Sequence, residues 1–327
     1  MSRHAALLAL ALLGCGGERT GSAGAAIRGG ALAPDDTNVV AVVNFAGGHC
    51  SGSLIAPRLV LSARHCVADT FVKDAPVICG ETEFRDPDSA GAVFVVAEPE
   101  ITDDPDDYHA LSEIVLPEGI ERDLCGTDVV LLVLEEPLAG ITPLEPRLEP
   151  AVEAGELYSA VGFGVDEDED GHPAGVRKRL DDLQVECGGD TCGFGDIRGN
   201  EWVGSGGPCN GDSGGPALDA DGRVIGVVSR GTSGCGEPVF GDVASRADWL
   251  KQQAIRVANL DREMPPPWAP CDEQNPCVEP PSEPADDEGL ESSCSVGFQR
   301  RSNAATWLVL ILGAVTGWRR RRARPKA

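Results

Sequence analysis

Apolar residues in the central part of this chain come in short runs rather than at helical spacing. The predicted strands are Val39–Phe45, Ser51–Ile55, Leu59–Ser62, Ala92–Ala97, Val129–Leu134, Leu157–Phe163, Leu180–Val185, Arg223–Ser229 and Val239–Val243. Each is rich in Val, Leu or Ile and bounded by Gly, Pro, Asp or Asn, the residues that stop strands and make turns. No alternation of strand and helix appears, so a parallel sheet is not expected. One amphipathic helix fits, from about Arg246 to Ala258, with Trp249, Leu250, Ile255 and Val257 available to pack. The pattern alone predicts an all-β unit over residues 27–257.

The flanking segments differ in kind. Arg3 and His4 precede an apolar run, Ala5 to Leu13, which reads as a secretory signal within residues 1–26 and is too short to span a bilayer. Leu12-Leu13-Gly14-Cys15 resembles a bacterial lipobox, which would put a lipid on Cys15; the alternative is an ordinary cut further along, near Ala25 or Ala26. Residues 260–293 carry Pro265-Pro266-Pro267, Pro280-Pro281 and Asp286-Asp287-Glu288, which predict an extended, self-repelling linker. Cys271 and Cys277 are spaced to close a small loop within it. Residues 294–327 hold Cys294, Arg300 and Arg301, an apolar stretch from Ala304 to Trp318, then Arg319 to Arg322, Arg324 and Lys326. That stretch is shorter than the roughly 20 residues of a full span. Trp307 and Trp318 suit the two interfaces, and the basic end would stay cytoplasmic. Cysteine, short apolar helix and arginine cluster together resemble the C-terminal sorting tails of myxobacterial surface proteins. That resemblance implies a cell-envelope sorting protease as a partner and a place at the cell surface; the alternative is a plain membrane anchor.

Composition adds compartment and excludes one partner class. The chain has 327 residues, 42% of them apolar, with 41 Gly and 24 Pro. That is enough to bury a core and suits many strands and turns. A net charge of −26 repels phosphate backbones, so no nucleic-acid partner is expected. Twelve cysteines behind a secretory signal point to an oxidising compartment.

The chemistry lies in three segments. Gly211-Asp212-Ser213-Gly214-Gly215-Pro216 resembles the nucleophile loop of the trypsin/chymotrypsin family of serine proteases. Leu61-Ser62-Ala63-Arg64-His65-Cys66 resembles that family's histidine motif, and Gly126-Thr127-Asp128 with Val129 to Leu132 its aspartate motif. They run in the order His, Asp, Ser, which is the order of this family and not of subtilisins or α/β-hydrolases. The resemblance covers roughly Ile27 to Asn259. It implies two antiparallel six-stranded β-barrels with a C-terminal helix, and a serine endopeptidase acting on protein or peptide substrates without a cofactor or metal. A serine hydroxyl is a poor nucleophile and needs an adjacent base. By resemblance His65 is that base, Asp128 orients it, Ser213 attacks, and the N–H groups of Gly211 and Ser213 form the oxyanion hole. The alternative is a non-catalytic binding module on the same scaffold.

The remaining expectations follow from the same resemblance. Ile27-Arg28-Gly29-Gly30 resembles the family's mature N-terminus, whose α-ammonium pairs with the carboxylate before the nucleophile, here Asp212. Ala25-Ala26 precede it, so a trypsin-like activator does not fit. Gly207 lies at the base of the substrate pocket where trypsin-like enzymes carry Asp. Ser229-Arg230-Gly231 matches the substrate-pairing strand, with Arg230 in place of the usual aromatic, and Pro238 or Val239 would make the pocket shallow. Small or medium apolar residues are expected at the cleavage position. Cys50–Cys66 and Cys209–Cys235 match family disulfides; Cys187–Cys192 would close a short loop, which leaves Cys79 and Cys125 to each other. Cys294 has no obvious partner. Arg64 replaces a small residue beside the histidine and is expected to leave the core, because burying its charge is costly. Asp166-Glu167-Asp168-Glu169-Asp170-Gly171 mimics the start of a calcium loop, but its twelfth position is Arg177. A solvated acidic loop is expected there.

Overall fold

The computed structural model describes residues 27, 30–44, 48–71, 76–117, 121–164, 174–193, 197–232 and 235–278. The signal, Cys15, the acidic loop at 166–171, Cys294 and the tail at 294–327 lie outside them. Thirteen strands and one α-helix are present among the described residues. A first barrel closes in the order β2 (Val39–Asn44), β3 (His49–Ala56), β4 (Leu59–Ser62), β7 (Val130–Leu134), β6 (Tyr108–Val115), β5 (Val93–Val96). A second runs β8 (Leu157–Gly162), β9 (Lys178–Gly188), β10 (Glu201–Gly204), β13 (Gly236–Asp242), β12 (Val224–Thr232), β11 (Pro216–Leu218), and closes through β11 on β8. β1 (Ala31–Leu32) adds to β9, pairing Ala31 with Arg179 and Leu32 with Lys178. All pairings between strands are antiparallel, and closure leaves neither barrel an open edge. The expectation of two six-stranded antiparallel barrels and a C-terminal helix holds.

All nine predicted strands form, with ends shifted by a few residues. β1, β6, β10 and β11 were not predicted. β6 reads Tyr-His-Ala-Leu-Ser-Glu-Ile-Val and buries only Leu111, so it carries little periodic signal; pairing with β5 and β7 makes it a strand. β10 and β11 are too short to show alternation.

The first barrel is filled by Val, Leu and Ile, including Val40, Val42, Leu54, Leu61, Leu131 and Val133. The second is built around aromatics: Trp202 stacks on Phe240 with ring centroids 4.0 Å apart, and Tyr158 stands edge-on to both. Arg177, 1% exposed, clasps the two barrels. From the start of β9 it donates to the carbonyls of Val39, Pro34, Ala97 and Glu98, and its guanidinium lies over the Phe163 ring. Burial lowers its pKa to about 10, opposed by Asp36 and Glu98, so it stays charged at neutral pH.

The helix α1 (Ala247–Asp261) packs Leu250, Ala254, Ile255 and Val257 against the first barrel's cluster. Among the described residues no helix is long and apolar enough to cross a membrane. The linker expected from 260 is corrected up to 278. This segment folds back on the first barrel: Trp268 Nε1 donates to the Ile55 carbonyl at 3.2 Å, Ala269 is fully buried, and Asn259 bonds to both Pro276 and Val278. A partly buried Trp and the buried Ala269 supply the apolar contact that the Pro- and acid-rich composition concealed. The disulfides are Cys50–Cys66, Cys79–Cys125, Cys187–Cys192, Cys209–Cys235 and Cys271–Cys277.

Candidate active site

β4 ends at Ser62, and Arg64–Cys66 follow as a single 3-10 turn carrying His65. The Cys50–Cys66 disulfide ties that turn to β3. Asp128 sits at the entrance to β7, which pairs with β4, so the register of two adjacent strands brings His65 and Asp128 together. Asp128 Oδ1 accepts the His65 backbone N–H at 2.9 Å, and Oδ2 faces His65 Nδ1 at 2.7 Å. Because the carboxylate only accepts, Nδ1 carries the proton and Nε2 is the free basic nitrogen. Ser229 on β12 donates to the same Oδ2 at 2.6 Å. Asp128 is buried, while a quarter of the His65 side chain is open to solvent. Burial pushes the imidazole pKa down, but the charge and hydrogen bond of Asp128 outweigh it and hold it above 6.5. Burial pushes the Asp128 carboxyl up, and His65, Ser229 and the His65 backbone N–H together bring it below its ordinary value.

Ser213 belongs to the second barrel but is held by the first. Its carbonyl accepts the Ser51 N–H at 2.7 Å, while Ser51 Oγ donates to the Gly211 carbonyl and accepts from the Phe163 N–H, each at 2.9 Å. Cys66 Sγ lies 3.7 Å from the Ser213 carbonyl oxygen. Ser213 is thus anchored through its backbone beside the turn that carries His65. Among the described residues Ser213 Oγ makes no hydrogen bond, nor do the Gly211 and Ser213 N–H groups. Gly211, at φ +95°, turns the loop through a conformation that side chains disfavour.

Asp212, 1% exposed, turns away from this cleft into the second barrel. Its two oxygens accept the N–H groups of Gly164 and Cys209, each at 2.8 Å. Gly162 and Gly164 form its seat, since a Cβ on either would collide with the carboxyl. Burial pushes the Asp212 pKa up to about 7 against the two backbone bonds and the charge of Lys178. Ile27 is fully buried in the second barrel's cluster with Tyr158, Leu183 and Trp202. Arg28 and Gly29 lie outside the described residues.

At Gly207, φ +100°, an added Cβ would meet Leu183, Ile27 and Leu180, apolar side chains of the second barrel's cluster. The Cys209–Cys235 bridge joins its segment to the start of β13. Ser229, Arg230 and Gly231 lie on β12, and Val239, 8% exposed, pairs with Arg230. Arg230 forms a two-point ion pair with Glu201, which is 2% exposed. The same carboxylate accepts the N–H groups of Gly126 and Arg198 at 2.7 and 2.9 Å. Glu201 therefore connects the segment beside Ser229 to the loop that leads into Asp128. One expectation is corrected: Arg64 stays in the interior at 4% exposed, its guanidinium 4.4 Å above the Phe84 ring and Nη1 on the Glu121 carbonyl. The ring face and the carbonyl supply what solvent would have given. Sequence reasoning missed Ser51, the seat glycines as such, Glu201 and Lys178. Glu201-Trp202-Val203 hinted at a buried acid, since a charge flanking an apolar run requires a partner.

Ligand atoms of Cys50, His65 and Cys66 lie within 4.8 Å of one another. Both sulfurs are spent in a disulfide, which offers no thiolate to a metal.

Comparison with known proteins agrees with this geometry. The family model described as Trypsin matches residues 27–250. The bradykinin-releasing enzyme KR-E-1 of Gloydius ussuriensis is 26% identical over 255 residues, covering 70% of this chain and 94% of that protein. Trypsin epsilon of Drosophila erecta is 26% identical over 232 residues (67% and 82% covered), and kallikrein 1-related peptidase b5 of Mus musculus 28% over 242 residues (67% and 85%). With a match over more than half its length and a histidine–carboxylate pair on the turn next to the Ser213 loop, this chain belongs to the trypsin-like serine protease family and is a serine endopeptidase.

Proposed function

We propose that the enzyme cleaves protein or peptide substrates outside the cytoplasm through a Ser213–His65–Asp128 triad. The observation that carries this reading is the 2.7 Å His65–Asp128 contact, which leaves Nε2 as the basic nitrogen, on a turn whose Cys66 Sγ lies 3.7 Å from the Ser213 carbonyl oxygen. Ser213 Oγ attacks the scissile carbonyl while His65 Nε2 takes its proton. The tetrahedral oxyanion receives the N–H groups of Gly211 and Ser213. The C–N bond breaks as His65 returns the proton to the leaving amine, giving an acyl-enzyme. Water, deprotonated by His65, then releases the acid and regenerates Ser213. Asp128 holds the tautomer and stabilises the imidazolium.

Gly207 in place of an acid, with apolar side chains packed against it, supports a preference for small or medium apolar side chains at the cleavage position, with Ser229, Gly231 and Val239 forming the walls. Ile27 and Asp212 are the activation pair: release of the Ile27 ammonium brings a cation to a carboxylate that burial otherwise disfavours. Residues 1–26 direct export, residues 279–293 link, and residues 294–327 hold the protein at the envelope, through the membrane or a sorting protease. A fluorophosphonate probe tests the chemistry. Labelling is expected for the form starting at Ile27 and lost in Ser213→Ala and His65→Ala; an intact, folded, unlabelled wild type refutes it.

A further inference from the structure

Asp212 is enclosed by the second barrel with two backbone N–H groups on its oxygens and its charge still to be balanced. A buried ion left half-paired is costly, so a nearby cation matters. Three consecutive cations stand at the start of β9: Arg177 just before it, then Lys178 and Arg179. Arg177 is committed to four carbonyls of the barrel junction, and Arg179 to Asp36 and Asp181. Lys178 is fully buried. Its cross-strand partner on β8 is Gly162. Directly paired residues in antiparallel strands project to the same face. At Gly162 that direction ends on Asp212 Oδ1. The Lys178 side chain therefore lies on the face where the carboxyl sits, and its charge acts on Asp212.

We propose that Lys178 is a second counter-charge for Asp212, a positioning residue that sets the Gly211–Gly214 loop while the segment before Ile27 is still attached. The inference rests on the activation reading above and changes its character. The α-ammonium then strengthens an arrangement that already exists, and the uncleaved chain keeps part of its reactivity.

The test uses the full chain in two forms, one with residues 1–26 attached and one beginning at Ile27. Wild type, Lys178→Met, Asp212→Asn and the double variant are unfolded in urea at pH 8. In the uncleaved form Lys178→Met is expected to raise the unfolding constant about tenfold or more with Asp212 present, and less than about threefold in the Asp212→Asn background. An equal effect in both backgrounds overturns the proposal. If Lys178→Met does not fold, recovery of folding in the double variant supports the pairing, and its failure to recover folding overturns it. Fluorophosphonate labelling of the uncleaved form should fall about tenfold in Lys178→Met, return in Lys178→Arg, and fall less in the form starting at Ile27. An uncleaved wild type that is inert while the Ile27 form labels also overturns it, as does an uncleaved Lys178→Met that labels at the wild-type rate. If neither wild-type form labels yet the stability coupling is present, the catalytic reading of Ser213 fails and the Lys178–Asp212 pairing stands.

Discussion

Gly211→Ala separates what the loop needs for shape from what it needs for chemistry. At φ +95° a residue with a Cβ pays about 1–2 kcal/mol. The new Cβ would also stand 2.6 Å from His49 Nε2 and 2.8 Å from Gly164 Cα, well inside ordinary contact. The His49 ring can swing away by giving up its 3.0 Å contact to the Phe163 carbonyl, at about 0.5–1.5 kcal/mol. Gly164 cannot move freely, because its N–H is bonded to Asp212. Together these terms come to about 3 kcal/mol, or roughly 6–12 °C in Tm for a domain of this size. If the loop shifts to relieve the clash, the Gly211 N–H leaves the oxyanion position, and loss of one such donor lowers kcat by about 10²–10³. The assay is steady-state hydrolysis of a peptide anilide beside thermal unfolding, with KM expected to change far less than kcat. In His49→Ala/Gly211→Ala, part of the lost Tm should return without the rate. A folded Gly211→Ala whose kcat stays within about threefold of wild type would refute the oxyanion assignment.

Asp128→Asn should lower kcat by about 10⁴, the loss seen in this family's archetype, and its acid limb in a pH–rate profile should move below that of wild type, because the charge that raises the His65 pKa is gone. In wild type that limb should lie above 6.5, and the stability that His65 gains from Asp128, full below 6.5, should fade as pH rises through the raised folded value. Asp212 has the same sense in a lower window: its folded pKa of about 7 lies above the unfolded one, so the uncleaved chain should lose stability from pH 4 to 7, and Asp212→Asn should flatten that slope in urea titrations. Glu201→Gln removes the buried carboxylate that pairs with the half-buried Arg230 and should cost about 3 kcal/mol, the low end for breaking a buried pair, by denaturant unfolding. Trp268→Ala should lower stability by about 1–3 kcal/mol, since the ring is only partly buried against the first barrel; an unchanged Tm would contradict the docking of residues 262–278.

Much of this molecule was legible because its signals are local. Val129 to Leu134 reads as a buried strand from composition alone, and the Gly-rich turn around Ser213 announces itself at any distance from its partners. What stayed hidden depends on pairing across the fold. β6 has a mixed, half-exposed face and becomes a strand only between β5 and β7. Arg64 was expected to seek solvent because no sequence rule places Phe84 beneath it. Ser51 looked like an ordinary strand residue, yet its N–H and hydroxyl hold Ser213 and Gly211 from the opposite barrel. Nothing in the order Arg177-Lys178-Arg179 marks out the middle residue, and only the register with Gly162 sets it apart.

The short strand β1 sets how far a liberated Ile27 can wander. Four residue steps separate Ile27 from Ala31, which is pinned to Arg179, so a chain cut just before Ile27 is leashed within about 13–14 Å of that anchor. Within so small a sphere its local concentration is millimolar or higher, and docking becomes an intramolecular event that dilution cannot reverse.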